Sequence, residues 1–253
     1  MSQPQVHRIP VSGGQSIVLD WIPPAPRRPS ALFVHGFGSH RRGEKSLYFA
    51  QRFAALGWGY AALDFRGHGE SGGSLADLTL TGLLEDLAAV LDWLGARGGP
   101  PFLIGSSMGA AVCAWHVRVH PRSAKGLILI APSLRFPAGL IASLGEEELA
   151  AWRREGKRRF RNAWLDVEVG YDLVRDAARY DPALLLRDHA LPSLLFHGLS
   201  DEAVPWRQSL EFLEQCPFPS LRLVLIKDGD HRLTAHKAFL FETLSVWCEE
   251  ILI

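Results

Sequence analysis

Six short runs of almost uninterrupted apolar residues constrain this chain more than any other feature of its sequence. They are Ala31 to His35, Gly59 to Leu63, Pro101 to Ile104, Gly126 to Ile130, Ser193 to Phe196 and Leu221 to Ile226. Each is too short for a helix and lacks the alternation of a half-exposed strand, so each predicts a strand buried on both faces. Between them lie segments of helical period. Leu80, Leu83, Leu84, Leu87, Val90, Leu91 and Leu94 step by three and four residues and form one apolar stripe. Strands that alternate with helices predict an α/β architecture: a mainly parallel sheet, helices on both faces and right-handed crossovers. Ligands of such sheets bind at the carboxyl ends of the strands. Ser16 to Ile22 alternates as a further strand, which the prolines from Pro23 to Pro29 terminate.

One connection is far too long for a simple crossover. About 60 residues separate Ile130 from Ser193, which predicts a short helical cap inserted at about residues 133–190 of a single domain spanning 1–253. Within it Glu146, Glu147 and Glu148 open a helix whose later turns carry Arg153, Arg154, Lys157, Arg158 and Arg159. Leu149, Trp152 and Phe160 recur on roughly one face of that helix. Acid first and base last suits the helix dipole, and the arginines are expected on the solvated side.

The chemistry concentrates at the ends of the strands. Gly105-Ser106-Ser107-Met108-Gly109 joins the run Pro101 to Ile104 directly to the helical stretch Ala110 to His120. Glycines two before and two after Ser107 permit a sharp turn that thrusts its hydroxyl up at a helix N-terminus. The same helix end offers a free N–H from Met108. Ser106 is one residue off the pattern and supports the turn. A serine hydroxyl needs a base, and the base needs an orienting group. Of ten histidines, His231 alone follows the last apolar run in a glycine-containing turn, Lys227-Asp228-Gly229-Asp230-His231. His236 competes from the start of the final helix, where a surface role is expected. Asp201, just past Ser193 to Phe196, is the expected acid; Glu202 beside it is a solvated or ion-paired alternative, and Asp230 braces its own turn. His35-Gly36-Phe37-Gly38 follows the first buried strand, and its Phe37 N–H joins Met108 N–H as the expected oxyanion donors. Asp64-Phe65-Arg66-Gly67-His68-Gly69-Glu70-Ser71-Gly72-Gly73 is a turn-rich loop at the same rim with a structural role, and His35, His40 and His68 are expected to hold turns rather than react.

Taken in order, HGFG, DFRGHGESGG, GSSMGA, HGLSDEAVPW and KDGDHR resemble the α/β-hydrolase superfamily over nearly the whole chain. The last three blocks look most like serine esterases and thioesterases related to mitochondrial palmitoyl-protein thioesterase, also known as an acyl-glucuronide esterase. The front half is similar to bacterial feruloyl and cinnamoyl esterases, although no histidine precedes Ser107 as it does in GHSxG enzymes. The resemblance implies the α/β-hydrolase fold, the chain order serine, aspartate, histidine, and ester or thioester hydrolysis through Ser107, Asp201 and His231.

The remaining readings concern partners and rivals. Lysine plus arginine and aspartate plus glutamate number 27 each, so no global field draws the chain to nucleic acid or an anionic membrane. A small-molecule ester or thioester is the expected substrate, with no cofactor and no metal. The start lacks a basic stretch followed by an apolar one and no apolar run reaches bilayer length, which places the chain in the cytoplasm. Cys113, Cys216 and Cys248 lie far apart and are expected to be small buried hydrophobes. Phe136, Trp152, Phe160 and Trp164 either line an acyl pocket or pack the cap. Transfer to an acceptor other than water, a small-substrate peptidase or amidase of the same fold, and a non-catalytic binding role are the competing classes.

Overall fold

The computed structural model describes residues 3–161, 165–187 and 189–252. Its first half contains β1 (Gln5–Pro10), β2 (Ser16–Ile22), β3 (Ser30–Val34), α1 (Glu44–Ala55), β4 (Gly59–Asp64), α2 (Leu80–Gly98), β5 (Phe102–Ser106), α3 (Met108–Val119) and β6 (Gly126–Ile130). After β6 come α4 (Ala138–Ala142), α5 (Glu146–Glu155), β7 (Lys157–Arg161), β8 (Asp166–Gly170), α6 (Asp172–Ala177) and α7 (Ala183–Arg187). The chain closes with β9 (Ser193–Gly198), α8 (Arg207–Gln215), β10 (Leu221–Ile226) and α9 (Lys237–Leu252). All six apolar runs are strands; five are buried on both faces as expected, whereas β10 is only partly buried, with Arg222 and Leu225 exposed.

Eight strands form one sheet in the order β1-β2-β4-β3-β5-β6-β9-β10. Only the pairs that β2 makes, with β1 and with β4, are antiparallel; the other pairs are parallel. The strand period of two sorts each run between two cores. Leu32 and Val34 of β3, Leu103 of β5, and Leu127 and Leu129 of β6 face a core completed by α2, α3 and α8. Ala31 and Phe33, Phe102 and Ile104, and Ile128 and Ile130 face the opposite core with α1 and α9. Burial on both faces is why these strands show no polar alternation. The three cysteines are buried and unpaired.

The segment between β6 and β9 differs from expectation in one respect. The helix that opens at Glu146 stops at Glu155 and does not carry Lys157, Arg158, Arg159 or Phe160. Gly156 takes the left-handed conformation at φ 75° and its N–H returns to the Trp152 carbonyl at 2.9 Å, a glycine C-cap. The chain then turns into β7, which pairs with β8 in a separate two-stranded antiparallel ladder. Strand alternation, not helical period, therefore sets the arginine-rich stretch. Its charges are paired at the surface: Lys157 with Glu168 at 2.9 Å, Arg158 with Glu148 at 2.5 Å, and Arg159 with Asp166 at 2.5 Å.

The inserted segment is tied to the sheet layer through Asp176 of α6. Its carboxylate accepts the Thr81 N–H at 2.8 Å and the Thr81 hydroxyl at 2.5 Å, and that hydroxyl also meets Tyr180 Oη at 2.7 Å. Thr81 is the second residue of α2, so a buried carboxylate from the insertion satisfies a helix-terminal donor and sits at the positive end of the dipole. Asp176→Ala leaves the Thr81 N–H without its acceptor and the Thr81 hydroxyl with only Tyr180 Oη to accept its proton, and the unfolding free energy is expected to fall by about 1–3 kcal/mol, seen as a lower urea midpoint at unchanged slope.

Candidate active site

Ser107 lies between β5 and α3 at φ 52° and ψ −116°, outside the regions that non-glycine residues favour. Such a conformation costs on the order of 1–3 kcal/mol and persists only where its surroundings fix it. Here α3 is drawn hard against the sheet. A Cβ on Gly105 would sit 2.7 Å from the Ala110 nitrogen, and one on Gly109 would collide with the carbonyl oxygens of Val34 and His35. The Ser107 N–H bonds the Ile130 carbonyl at 2.9 Å, and the Ser107 carbonyl receives Ser133 N–H at 3.2 Å and Ala110 N–H at 3.1 Å. The side chain is thereby held at the rim. Met108 is the first residue of α3, where the helix has no internal acceptor for its N–H.

The structure brings the three expected side chains together. His231 Nε2 lies 3.0 Å from Ser107 Oγ, and His231 Nδ1 lies 2.8 Å from Asp201 Oδ2. Their loops meet because Gly198 and Gly229 touch through their backbones: a Cβ on Gly198 would stand 2.9 Å from the Gly229 Cα. Ser200 N–H also bonds the Gly229 carbonyl at 3.0 Å. The Asp201 side chain is fully buried, and its Oδ1 accepts Ala203 N–H at 2.9 Å and Val204 N–H at 2.8 Å. Burial alone would raise its pKa, but the bonds from His197, His231 and the Val204 N–H outweigh it and hold the carboxyl well below the usual range. The rivals stand apart from this chain. Glu202 is exposed, Asp230 accepts the Leu233 N–H at 2.7 Å, and His236 faces Asp228 at 3.7 Å.

The loop after β3 lies against Ser107. A Cβ on Gly36 would be 3.2 Å from Ser107 Cβ and 3.8 Å from Oγ. Two buried histidines set this loop. His35 Nδ1–H donates to the Gly36 carbonyl at 2.7 Å while its Nε2 accepts Phe65 N–H at 3.1 Å. His68 Nδ1–H donates to the Arg66 carbonyl at 3.0 Å while its Nε2 accepts Gly38 N–H at 3.1 Å. With Gly38 N–H taken by His68 and Ser39 N–H bonded to the Gly36 carbonyl, Phe37 N–H is the next donor beyond Gly36. Arg41, 2% exposed, binds Asp20 at 3.0 Å, Glu70 at 2.8 Å and the buried carboxylate of Asp64, so the loop after β4 is locked to the loop after β3 as expected.

The inserted segment closes over the same loop. Phe37 meets His68 and Phe160 edge-on, each at 6.4 Å, and Leu165 packs on Gly38. Trp152 is buried between Phe160 at 5.4 Å and Tyr171 at 6.0 Å and donates to the Val169 carbonyl at 3.0 Å, so it packs the segment. Phe136 is also buried. Trp164 lies outside the described residues. The residue that sequence reasoning passed over is His197, fully buried at the end of β9 with Nε2 3.0 Å from Asp201 Oδ2. An imidazole in an otherwise apolar run, four residues before the acid, was the available signal.

The hydrogen bonds of His35 and His68 require neutral rings. Burial first, then the neighbouring His68, lowers the His35 pKa to about 3, and burial also lowers that of His68. A lowered histidine pKa means that the unfolded chain takes up the proton first, at about pH 6.5. Their contribution to stability is full above pH 6.5 and is lost as pH falls from there toward 3. Urea unfolding across this window is expected to show stability decreasing with acid, less steeply for His35→Gln.

Comparison with known proteins adds to the geometry. The model of a hydrolase family described as serine aminopeptidase, S33, matches residues 25–188. The palmitoyl-protein thioesterase ABHD10, mitochondrial, of Mus musculus is 26% identical over 219 residues, 82% of this chain and 70% of that protein. A monoacylglycerol lipase of Mycolicibacterium smegmatis is 31% identical over 133 residues, 51% of this chain and 46% of that protein. Among solved structures, a putative hydrolase from Agrobacterium vitis S4 superposes with a TM-score of 0.87 at 27% identity, covering 97% of this chain and 99% of the other.

Proposed function

Because the chain belongs to the α/β-hydrolase family described as serine aminopeptidase, S33, and is an enzyme of that fold, we propose that it cleaves carboxylic ester or thioester bonds through an acyl-enzyme on Ser107. The observation that carries this reading is the pair of hydrogen bonds joining Ser107 Oγ to His231 and His231 to the buried Asp201, at 3.0 and 2.8 Å. The thioesterase and lipase names of the relatives support the same bond class.

The reaction runs in two halves. His231 Nε2 takes the Ser107 proton as Oγ bonds to the substrate carbonyl carbon. The resulting oxyanion is held by Phe37 N–H and Met108 N–H, each worth about 3 kcal/mol of barrier. As the tetrahedral adduct collapses, the carbon bond to the leaving oxygen or sulfur breaks, and His231 returns the proton to that group. Water then gives a proton to His231 and attacks the acyl carbon; the acid departs and Ser107 regains its hydrogen. Asp201 stays anionic throughout, keeping the His231 proton on Nδ1 and stabilising the imidazolium.

Hydrolysis of p-nitrophenyl esters from acetate to palmitate, with a palmitoyl thioester alongside, tests the reading. Activity is expected with an optimum chain length, with a loss of more than about a thousandfold in kcat for Ser107→Ala. A fluorophosphonate should label the native protein and not the variant. Equal inertness of both proteins, with Ser107 unlabelled, would sink the catalytic reading.

A further inference from the structure

The Asp201 carboxylate faces two histidines. Its Oδ2 meets His231 Nδ1 at 2.8 Å and His197 Nε2 at 3.0 Å. His197 Nε2 also faces the Val204 carbonyl at 3.1 Å, and its Nδ1 lies 2.7 Å from Oγ of the buried Ser209 in α8. Both partners of Nε2 are acceptors, so the ring proton resides there; the Nδ1 lone pair is then left for the Ser209 hydroxyl proton. Oδ1 of Asp201 accepts two backbone N–H groups. Oδ2 accepts two imidazole N–H groups, so the carboxylate has its full set of donors and one fixed orientation.

A leucine would fill the end of β9 without burying a polar ring, which needs partners at both nitrogens. Of the two His197 nitrogens, one is used on Ser209 and the other on the acid of the candidate triad. Resting on the function proposed above, we propose that His197 is a positioning residue for that reaction. With its tautomer set by the two acceptors at Nε2 and its ring braced by Ser209, its Nε2–H orients the Asp201 carboxylate and shares its charge, which determines how strongly that carboxylate pulls on His231. Other charged groups of the surrounding loops are turned to different partners. Glu202 is exposed, Asp230 binds Leu233 N–H, Asp228 faces His236, and the Lys45 ammonium donates to the Arg232 carbonyl.

The test compares the native protein with His197→Leu, His197→Gln, Ser209→Ala and Ser107→Ala, using the p-nitrophenyl ester that the native protein cleaves fastest. Thermal melting tracks folding, and kcat and KM are measured across pH. His197→Leu is expected to lower kcat by about tenfold to a hundredfold at unchanged KM, the scale of a slightly misplaced catalytic group. Its Asp201, relieved of one donor, pulls harder on His231, so the acid limb of the kcat/KM profile moves to higher pH. His197→Gln brings an N–H to the same place and should recover most of the loss and move the limb back. Ser209→Ala, the mildest change, should fall between and carries the test together with His197→Gln if His197→Leu does not fold. Native kcat and an unmoved acid limb in the His197 and Ser209 variants would overturn the proposal, as would a loss of rate that the glutamine does not recover and that leaves the limb in place. These outcomes are separable from failure of the underlying reading: if Ser107→Ala hydrolyses the ester as fast as the native protein, both claims fall.

Discussion

The turn at Ser107 depends on close contact between α3 and the ends of β3 and β5, and most of the site follows from that contact. A serine at φ 52° is unfavourable by itself. It is retained because the helix cannot withdraw: its first residues are pressed onto the carbonyls that end β3, and the Ser107 backbone is bonded to β6 and to the segment beyond it. Ala131 and Leu233, also at positive φ, stand just beyond β6 and just beyond His231. Apart from Arg27 in the loop before β3, the described non-glycine residues at positive φ thus stand at the carboxyl rim of the sheet beside the candidate site, while the apolar cores beneath keep them in place.

Polar groups buried at this rim are matched in a consistent way. Arg41 links the carboxylates of Asp20 in β2, Asp64 at the end of β4 and Glu70 in the loop after it, Arg66 is bound to the buried Asp86 of α2 at 2.7 Å, and His35 and His68 each accept a backbone N–H from a neighbouring loop. Any one of these groups would be costly to bury alone. Together they tie the loops after β3 and β4 to each other, to β2 and to α2, which sets the backbone around Phe37 before any ligand arrives.

The sheet was legible in the sequence because burial on both faces gives an unmistakable composition. The three candidate site residues were legible because each follows an apolar strand in a glycine-containing turn, and chain order and spacing alone bring such positions to one rim. What escaped was governed by other forces. β1 is an edge strand with Val6 half exposed, so its pattern is weak. The stretch after Gly156 carries as many charges as a helix face would, and only the left-handed glycine reveals that the helix has ended. His197 escaped because its partners, Asp201 apart, are a backbone carbonyl and a serine on a later helix, and tertiary pairing of that kind leaves no local period.

The placement of the inserted segment has a consequence for how such chains diversify. It leaves from β6 and returns to β9, and these strands are hydrogen-bonded neighbours, Leu127 opposite Ser193. Because the two strands run parallel, the segment leaves at the carboxyl rim and returns at the amino end of the sheet, its ends held about a strand length apart by the sheet itself. The entropy of closing a loop between fixed ends grows only with the logarithm of its length, about 0.6 kcal/mol for each doubling. Residues there can be added, deleted or reshaped with little penalty to the sheet, while through Phe160 and Leu165 they press on the loop beside Ser107. The sheet supplies a constant framework for the candidate site, and the segment above it is free to vary in the shape it presents to a ligand.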